Sequence, residues 1–327
     1  MIVSAYEVRP DEMAYMRALE DRLGCEVQTH TEGLTPANIP ELPEGSAVSV
    51  LGMYRYGEAE LRAMAERGVT ALSTRTVGYN HIDLEAAKAC GIPVCNARYD
   101  PNGVADYTIM MMLLCLRNYK QALWRLQVND YSLGGLMGRE LKDLTVGIIG
   151  TGRIGAQVIR SLQGFGCRIL AHSTHIDESL QGLATYVPLD ALYRRSDIIS
   201  LHVPLTLETW HMINQKSLSL MKDGVVLVNC ARGDLMDVGA LIHGIESEKI
   251  GALGLDVLES EEGIVHRDRK TDIFSNREMA YLRQFKNVVY TPHMAFYTDA
   301  AVGQMVDCGI RGCLQMARGE ACPTRLV

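Results

Sequence analysis

Three glycines in Gly150-Thr151-Gly152-Arg153-Ile154-Gly155 stand at the spacing with which a backbone turn cradles a pyrophosphate. The first glycine makes the tight turn, the second lets the phosphates approach the backbone, and the third lets helix and strand pack closely. Arg153 and Ile154 open the helix whose free N–H groups and positive dipole end would face those phosphates. Further along, Arg232 follows Asn229-Cys230-Ala231, Asp256 follows Gly254-Leu255 with Glu261 five residues later, and His293 follows Thr291-Pro292. A fixed guanidinium clamps a carboxylate and polarises a carbonyl. An imidazole donates a proton, and a neighbouring carboxylate orients it. Beside a dinucleotide turn, Arg232, Glu261 and His293 suit hydride transfer to an α-keto acid.

Singly, each has an ordinary reading: a surface cation, a solvated carboxylate beside Glu259 and Glu262, a core histidine. What binds them together is position. Each follows an apolar strand, and the carboxyl edge of an open parallel sheet is where ligands sit. About 20 residues after the glycine turn, an NAD-binding fold usually places Asp or Glu to hold the ribose 2′-OH. Here the strand Arg168–Ala171 runs into His172-Ser173-Thr174-His175, and Ser173 takes that place. Loss of the carboxylate removes repulsion towards a 2′-phosphate, which favours acceptance of NADP(H) as well as NAD(H). Asp177 or Glu178 folding back to do the usual job is the competing reading.

The elements that must position these residues alternate. Strands are expected at Met1–Ala5, Ser46–Gly52, Ala71–Ser73 and Ile92–Cys95, with helices at Asp11–Leu23, Ala59–Arg67 and Asp83–Cys90 between them. Asp11 and Asp83 are expected N-caps, and Gly91 a C-terminal cap. Val104–Leu116 is an almost uniformly apolar helix, hence one buried on most faces. A glycine-containing loop at Tyr131–Leu141 precedes a second alternation with strands Thr145–Ile149, Arg168–His172, Ile198–His202, Val225–Asn229, Ala252–Asp256 and Val288–Tyr290. Ser260–Arg277 reads as a polar excursion and 298–327 as a final helix returning to the first domain. The alternation gives the fold class α/β, with parallel sheets.

At 327 residues the chain has room for two domains, and 47% hydrophobic with 22% charged residues excludes a disordered chain. A formal net charge of -7 argues against a phosphate-backbone partner, so no nucleic acid is expected. Nine cysteines without a C-x-x-C pair form neither a disulfide framework nor a metal site, and point to a reducing compartment. The N-terminus lacks a signal-peptide pattern, and the longest apolar run, Ile109–Leu116, falls far short of a membrane span. The expectation is a cytoplasmic protein with no membrane partner.

The sequence resembles the D-isomer-specific 2-hydroxyacid dehydrogenases over essentially its whole length, and most of all the branch of D-lactate, D-2-hydroxyisocaproate and aryl-lactate dehydrogenases. The match is carried by Ser73–Asp83, Tyr99–Tyr107, Val146–Gly155, His202–Thr206, Asn229–Gly233, Ala252–Glu261 and Thr291–Thr298. The resemblance implies two doubly wound, Rossmann- or flavodoxin-like domains with a cleft between them: 1–100 with 297–327 for substrate, 101–296 for the dinucleotide. It implies reversible reduction of a 2-oxo acid to the D-2-hydroxy acid. Arg232 would bind the substrate carboxylate and carbonyl, Glu261 would partner His293, and His293 would be the acid/base. Val77, Gly78, Tyr99 and Tyr297 would bind substrate. Gly150, Gly152, Arg153, Ile154, Gly155, Val203, Pro204, Cys230 and Ala231 would line the cofactor cleft, with Asp256 towards the nicotinamide. It further implies a homodimer built through the cofactor domains. At Leu51, Met53 and Tyr54 relatives vary with the size of the substrate side chain, so pyruvate and larger 2-keto acids both fit. Glyoxylate or hydroxypyruvate reduction is the alternative activity, and an NAD(H)-sensing scaffold the non-catalytic one.

Overall fold

A computed structural model describes residues 1–261, 263–272 and 276–327. In chain order the elements are β1 (Ile2–Ala5), α1 (Met13–Leu23), β2 (Glu26–Thr29), β3 (Ala47–Val50), α2 (Glu58–Glu66), β4 (Ala71–Thr74), α3 (Leu84–Ala89) and β5 (Val94–Cys95). Next come α4 (Asn102–Leu116), α5 (Tyr119–Leu126), β6 (Thr145–Ile149), α6 (Arg153–Leu162), β7 (Arg168–His172), β8 (Thr185–Tyr186), α7 (Leu189–Arg195) and β9 (Ile198–Leu201). The chain ends with α8 (Gln215–Leu220), β10 (Val225–Asn229), α9 (Val238–Glu246), β11 (Ile250–Leu255), α10 (Arg277–Leu282), β12 (Val288–Tyr290) and α11 (Asp299–Ala317). It divides into two compact units, Met1–Asp100 with Tyr297–Val327, and Pro101–Phe296.

The first unit holds a five-stranded sheet in the order β2-β1-β3-β4-β5, every pair parallel. The chain leaves β1 to one side for β2, then crosses to the other for β3. The point where strand order reverses therefore lies between β1 and β3. Successive strand residues point to opposite faces, so Val48, Val50, Leu72 and Val94 pack on one side with Leu61 and Met64 of α2. Val3, Ala5, Ala47 and Ala71 pack on the other with Met16 and Leu19 of α1 and Val306, Ile310 and Cys313 of α11. The returning C-terminal helix thus completes this unit's core.

The second unit holds seven parallel strands in the order β12-β11-β10-β9-β6-β7-β8. Its order reverses between β6 and β9. Val146 and Ile148 meet α4 and α6 on one face, while Ile149, Ile199, Leu227 and Leu253 meet α7, α8, α9 and α10 on the other. All six neighbouring pairs are parallel and helices cover both faces, which explains the near-continuous apolar strands.

Some expectations are corrected. Asp11 does not cap α1; Glu12 occupies the cap position without a side-chain bond, and Asp11 instead accepts from Arg9 Nε at 3.2 Å. Asp83 does cap α3, accepting from the Ala86 N–H at 3.0 Å. β2 and β8 were not expected: both are short edge strands with half-exposed, polar sequences. Helix α5, with no buried residue, was not expected either. In the polar segment 260–277, Glu262 and residues 273–275 lie outside the described residues.

Candidate functional site

Every chemistry-bearing residue of the second unit follows a strand's carboxyl end. The glycine turn follows β6, at the reversal point of the sheet. Gly150 has φ +94° and a Cβ there would lie 2.4 Å from the His202 carbonyl oxygen. A Cβ on Gly155 would lie 1.9 Å from the Gly150 carbonyl oxygen, so neither position admits a side chain. At Gly152 a Cβ would meet no protein atom within 4 Å, which leaves open space before the first turn of α6. That space, with the helix N–H groups behind it, fits a pyrophosphate. Thr151 ties this turn to the end of β7: its hydroxyl donates to the His175 carbonyl at 3.4 Å and accepts from Tyr186 Oη at 3.0 Å.

At that strand end Ser173 Oγ accepts from the His175 N–H at 3.4 Å, and residues 172–176 include no carboxylate. Asp177 caps the short turn that follows by accepting from the Ser179 N–H at 3.0 Å, and lies 3.9 Å from Arg160. Its Oδ1 is therefore taken up by the local turn.

After β9, burial pushes the His202 imidazole down to about 4, so it stays neutral beside Ser200 Oγ at 2.9 Å. After β10, Asn229 shapes the turn that carries Arg232. Its side-chain oxygen accepts from the Ala231 N–H at 2.9 Å and its amide donates to the Arg232 carbonyl at 2.8 Å. Gly233 follows because the Leu258 backbone crosses there, 2.2 Å from where a Cβ would be. Burial and the nearby Asp256 raise the Cys230 thiol, which keeps it protonated and unreactive.

After β11 and β12 the remaining residues meet. Asp256 is fully buried and holds the turn after β12 from inside. Its Oδ1 accepts from Thr291 Oγ1 at 2.6 Å and the Met294 N–H at 2.9 Å, and its Oδ2 from the Ala295 N–H at 2.8 Å. His293 sits in that turn at φ +53°, its N–H donating to the Asp256 carbonyl at 2.8 Å. Its Nδ1 lies 2.6 Å from Glu261 Oε1, while Glu261 Oε2 accepts from the Leu258 N–H at 2.9 Å. A carboxylate only accepts, so Nδ1 carries the proton there and Nε2 is the nitrogen left to face a substrate.

Comparisons with known proteins place the chain in a family. Residues 109–295 match the model of the D-isomer specific 2-hydroxyacid dehydrogenase NAD binding domain. An aromatic 2-oxoacid reductase of Clostridium sporogenes is 40% identical over 310 residues, covering 94% of this chain and 93% of that protein. A D-specific alpha-keto acid dehydrogenase of Enterococcus faecium is 37% identical, covering 97% and 98%. A D-lactate dehydrogenase structure from Treponema pallidum superposes with TM-score 0.89 at 31% identity, covering all of both chains. The chain belongs to the D-isomer-specific 2-hydroxyacid dehydrogenase family. It is an oxidoreductase with a nicotinamide-dinucleotide domain.

In this dehydrogenase Glu261 and His293 are in direct contact, and Arg232 stands on the same sheet edge two strands away. Val203 and Pro204 follow β9, and Cys230 and Ala231 follow β10, as Arg153 and Ile154 open α6. In the first unit Val77 and Gly78 follow β4 in a loop closed by Asn96 Nδ2, which donates to the Val77 carbonyl at 2.7 Å, and Thr76 Oγ1, which donates to the Gly78 carbonyl at 2.6 Å. Among the described residues their own N–H groups meet no acceptor. Tyr99 is half-buried and Tyr297 is exposed. Sequence reasoning missed the second pair, His211 Nε2 and Glu259 Oε1 at 2.9 Å, which anchors the 258–261 segment beside Gly233. It also missed His266, whose Nε2 lies 2.9 Å from the His293 carbonyl. Neither stands in a recognisable motif. Among the described residues no cluster of His, Cys, Asp or Glu could hold a metal ion, and no helix is long and apolar enough to cross a membrane.

Proposed function

We propose that this dehydrogenase reversibly reduces monocarboxylic 2-oxo acids, pyruvate or larger, to the D-2-hydroxy acids. The observation that carries the proposal is the 2.6 Å contact of His293 and Glu261 on the sheet edge that also bears Arg232. A bound reduced nicotinamide supplies the hydride. Arg232 binds the substrate carboxylate and polarises the carbonyl that becomes the alkoxide. His293 donates the Nε2 proton to that oxygen, and Glu261 holds the ring in the right tautomer and stabilises the imidazolium. Asp256 keeps the His293 turn in place. In the first unit the Val77 and Gly78 N–H groups, with Tyr99, bind the substrate carboxylate, and Leu51, Met53, Tyr54 and Tyr297 meet its side chain.

Ser173 at the end of β7, with Asp177 engaged elsewhere, supports use of NADPH alongside NADH. Leu123, Trp124, Leu126, Val128, Tyr131 and Leu133 expose an apolar face on and after α5, which supports a homodimer through the second unit. Nine unpaired cysteines support a reducing, cytoplasmic setting. Loss of reduced-nicotinamide absorbance across a panel of 2-oxo acids, run with NADH and with NADPH, tests the reading. Turnover of pyruvate or larger 2-oxo acids supports it; turnover of glyoxylate or hydroxypyruvate alone replaces the substrate. Cofactor binding without any turnover leaves a sensing scaffold.

A further inference from the structure

One buried acid belongs to no step of that mechanism. Glu7 stands two residues beyond β1, at φ +58°, a conformation that glycine takes freely and a β-carbon makes costly. Its side chain is turned inward, leaving the residue 7% exposed, and its N–H is fixed to the Glu32 carbonyl at 2.9 Å. Its Oε2 accepts from the N–H groups of Leu51 at 2.6 Å and Gly52 at 2.7 Å, and the Met53 N–H lies 3.2 Å from Oε1 and 3.3 Å from Oε2. Three consecutive amides of one loop thus converge on one carboxylate. Burial raises the Glu7 carboxyl, against those amides and the neighbouring Arg75, which hold it down.

That loop follows β3, so the clamp joins the carboxyl ends of β1 and β3. These strands flank the reversal point of the first sheet, where an open α/β sheet binds its ligand. The rest of the loop is fitted around the clamp. Gly52 has φ +99° and a Cβ there would lie 2.9 Å from the His81 ring; a Cβ on Gly33 would lie 1.9 Å from the Tyr54 ring. With the amides of residues 51–53 turned in towards Glu7, the loop carries half-buried Met53 and exposed Tyr54 on a base of buried Leu51.

We propose that Glu7 is a specificity-determining positioning residue, which fixes the 51–54 loop so that Met53 and Tyr54 select 2-oxo acids by the size of their apolar side chain. This rests on the reading that the loop meets the substrate side chain. A loop without its clamp can repack around different side chains, and discrimination falls.

The test uses Glu7→Gly, which removes the carboxylate and keeps the backbone conformation unstrained, and Glu7→Gln, which keeps the shape and one acceptor oxygen. Steady-state kinetics on pyruvate, 4-methyl-2-oxopentanoate and phenylpyruvate is compared with Met53→Ala and Tyr54→Ala, and NADH affinity is read by fluorescence. For Glu7→Gly the ratio of kcat/KM between the best and worst of these acids moves at least fivefold towards one. The change lies in KM more than in kcat, with NADH affinity within twofold. Glu7→Gln gives a smaller shift in the same direction, and decides the matter with a threshold of twofold if the glycine variant does not fold. An equal loss on all three acids, or an unchanged ratio while Met53→Ala or Tyr54→Ala shifts it, overturns the role of Glu7 and leaves the loop reading standing. If the loop variants themselves leave the ratio unmoved, the loop does not read the side chain and both fall.

Discussion

Asp256 and Glu7 are two buried carboxylates that do the same mechanical job in different units. Each accepts from backbone N–H groups of a loop on a neighbouring strand's carboxyl end, and each fixes a loop proposed to display a side chain to the substrate. Asp256 follows β11 and holds the turn after β12, which carries His293, the proposed proton donor. Glu7 follows β1 and holds the loop after β3, which carries Met53 and Tyr54. The difference lies in what is displayed. On the proposed mechanism one clamp orients a group that every substrate needs, the other a surface that only some substrates fit. Loosening the first lowers the rate for all 2-oxo acids alike, whereas loosening the second redistributes the rate among them.

The largest effects expected are at the displayed chemistry itself. His293→Asn removes the proton donor and lowers kcat by roughly 10²–10⁴-fold, the usual worth of general acid catalysis. Arg232→Ala lowers kcat/KM by a comparable factor, because the clamp on the substrate carboxylate and the polarisation of its carbonyl are lost together. Both variants keep NADH affinity, measured by fluorescence titration. Wild-type kcat in His293→Asn, or wild-type kcat/KM in Arg232→Ala, removes that residue from the mechanism, and loss of His293 also removes one term of the comparison with Glu7.

Asp256→Asn is smaller and more telling. The amide keeps one acceptor and places an N–H₂ against the Ala295 N–H, so the turn that aims His293 loses one hydrogen bond and gains a repulsion. Leaving that buried donor unpaired costs about 1–3 kcal/mol of stability. Kcat falls on the order of tenfold, by the same factor for pyruvate and for phenylpyruvate. A substrate-dependent loss contradicts the contrast drawn between the two clamps. Thermal denaturation and two-substrate kinetics on one preparation check both numbers.

The two clamps also differ in how far they can be read from the chain. Asp256 lies five residues before Glu261 in a run that ends an apolar strand, and this local context is enough to place it on the ligand edge. Glu7 meets amides 44 to 46 residues away, and its own neighbours show neither a motif nor a spacing. Its role depends on β1 pairing with β3, a tertiary fact. The glycine turn was legible for the opposite reason: positive φ at Gly150 and the closed space at Gly155 are local demands that only glycine meets. Near-continuous apolar strands and caps such as Asp83 were legible too. The edge strand β2, Glu26-Val27-Gln28-Thr29, was not, because a half-exposed edge needs no apolar face. Asp11 was misread as a cap since Arg9, two residues before it, competes for the carboxylate.

The smallest expected effect concerns the cofactor rather than either clamp. On the proposed reading Ser173 stands where a carboxylate would accept from the ribose 2′-OH, while Asp177 caps the turn at Ser179. Ser173→Asp restores that acceptor and sets a negative charge against a 2′-phosphate. The ratio of kcat/KM with NADPH to that with NADH falls about tenfold, equivalent to roughly 1.4 kcal/mol. Dissociation constants for the two reduced cofactors, measured without substrate, move in the same proportion, since the 2′ position is remote from the hydride. The preference among 2-oxo acids stays as it was, because Ser173 and the 51–54 loop belong to different units. A ratio that does not move shows that Ser173 is not at the 2′ position, and a ratio that moves together with substrate preference shows that the two units do not read their ligands independently.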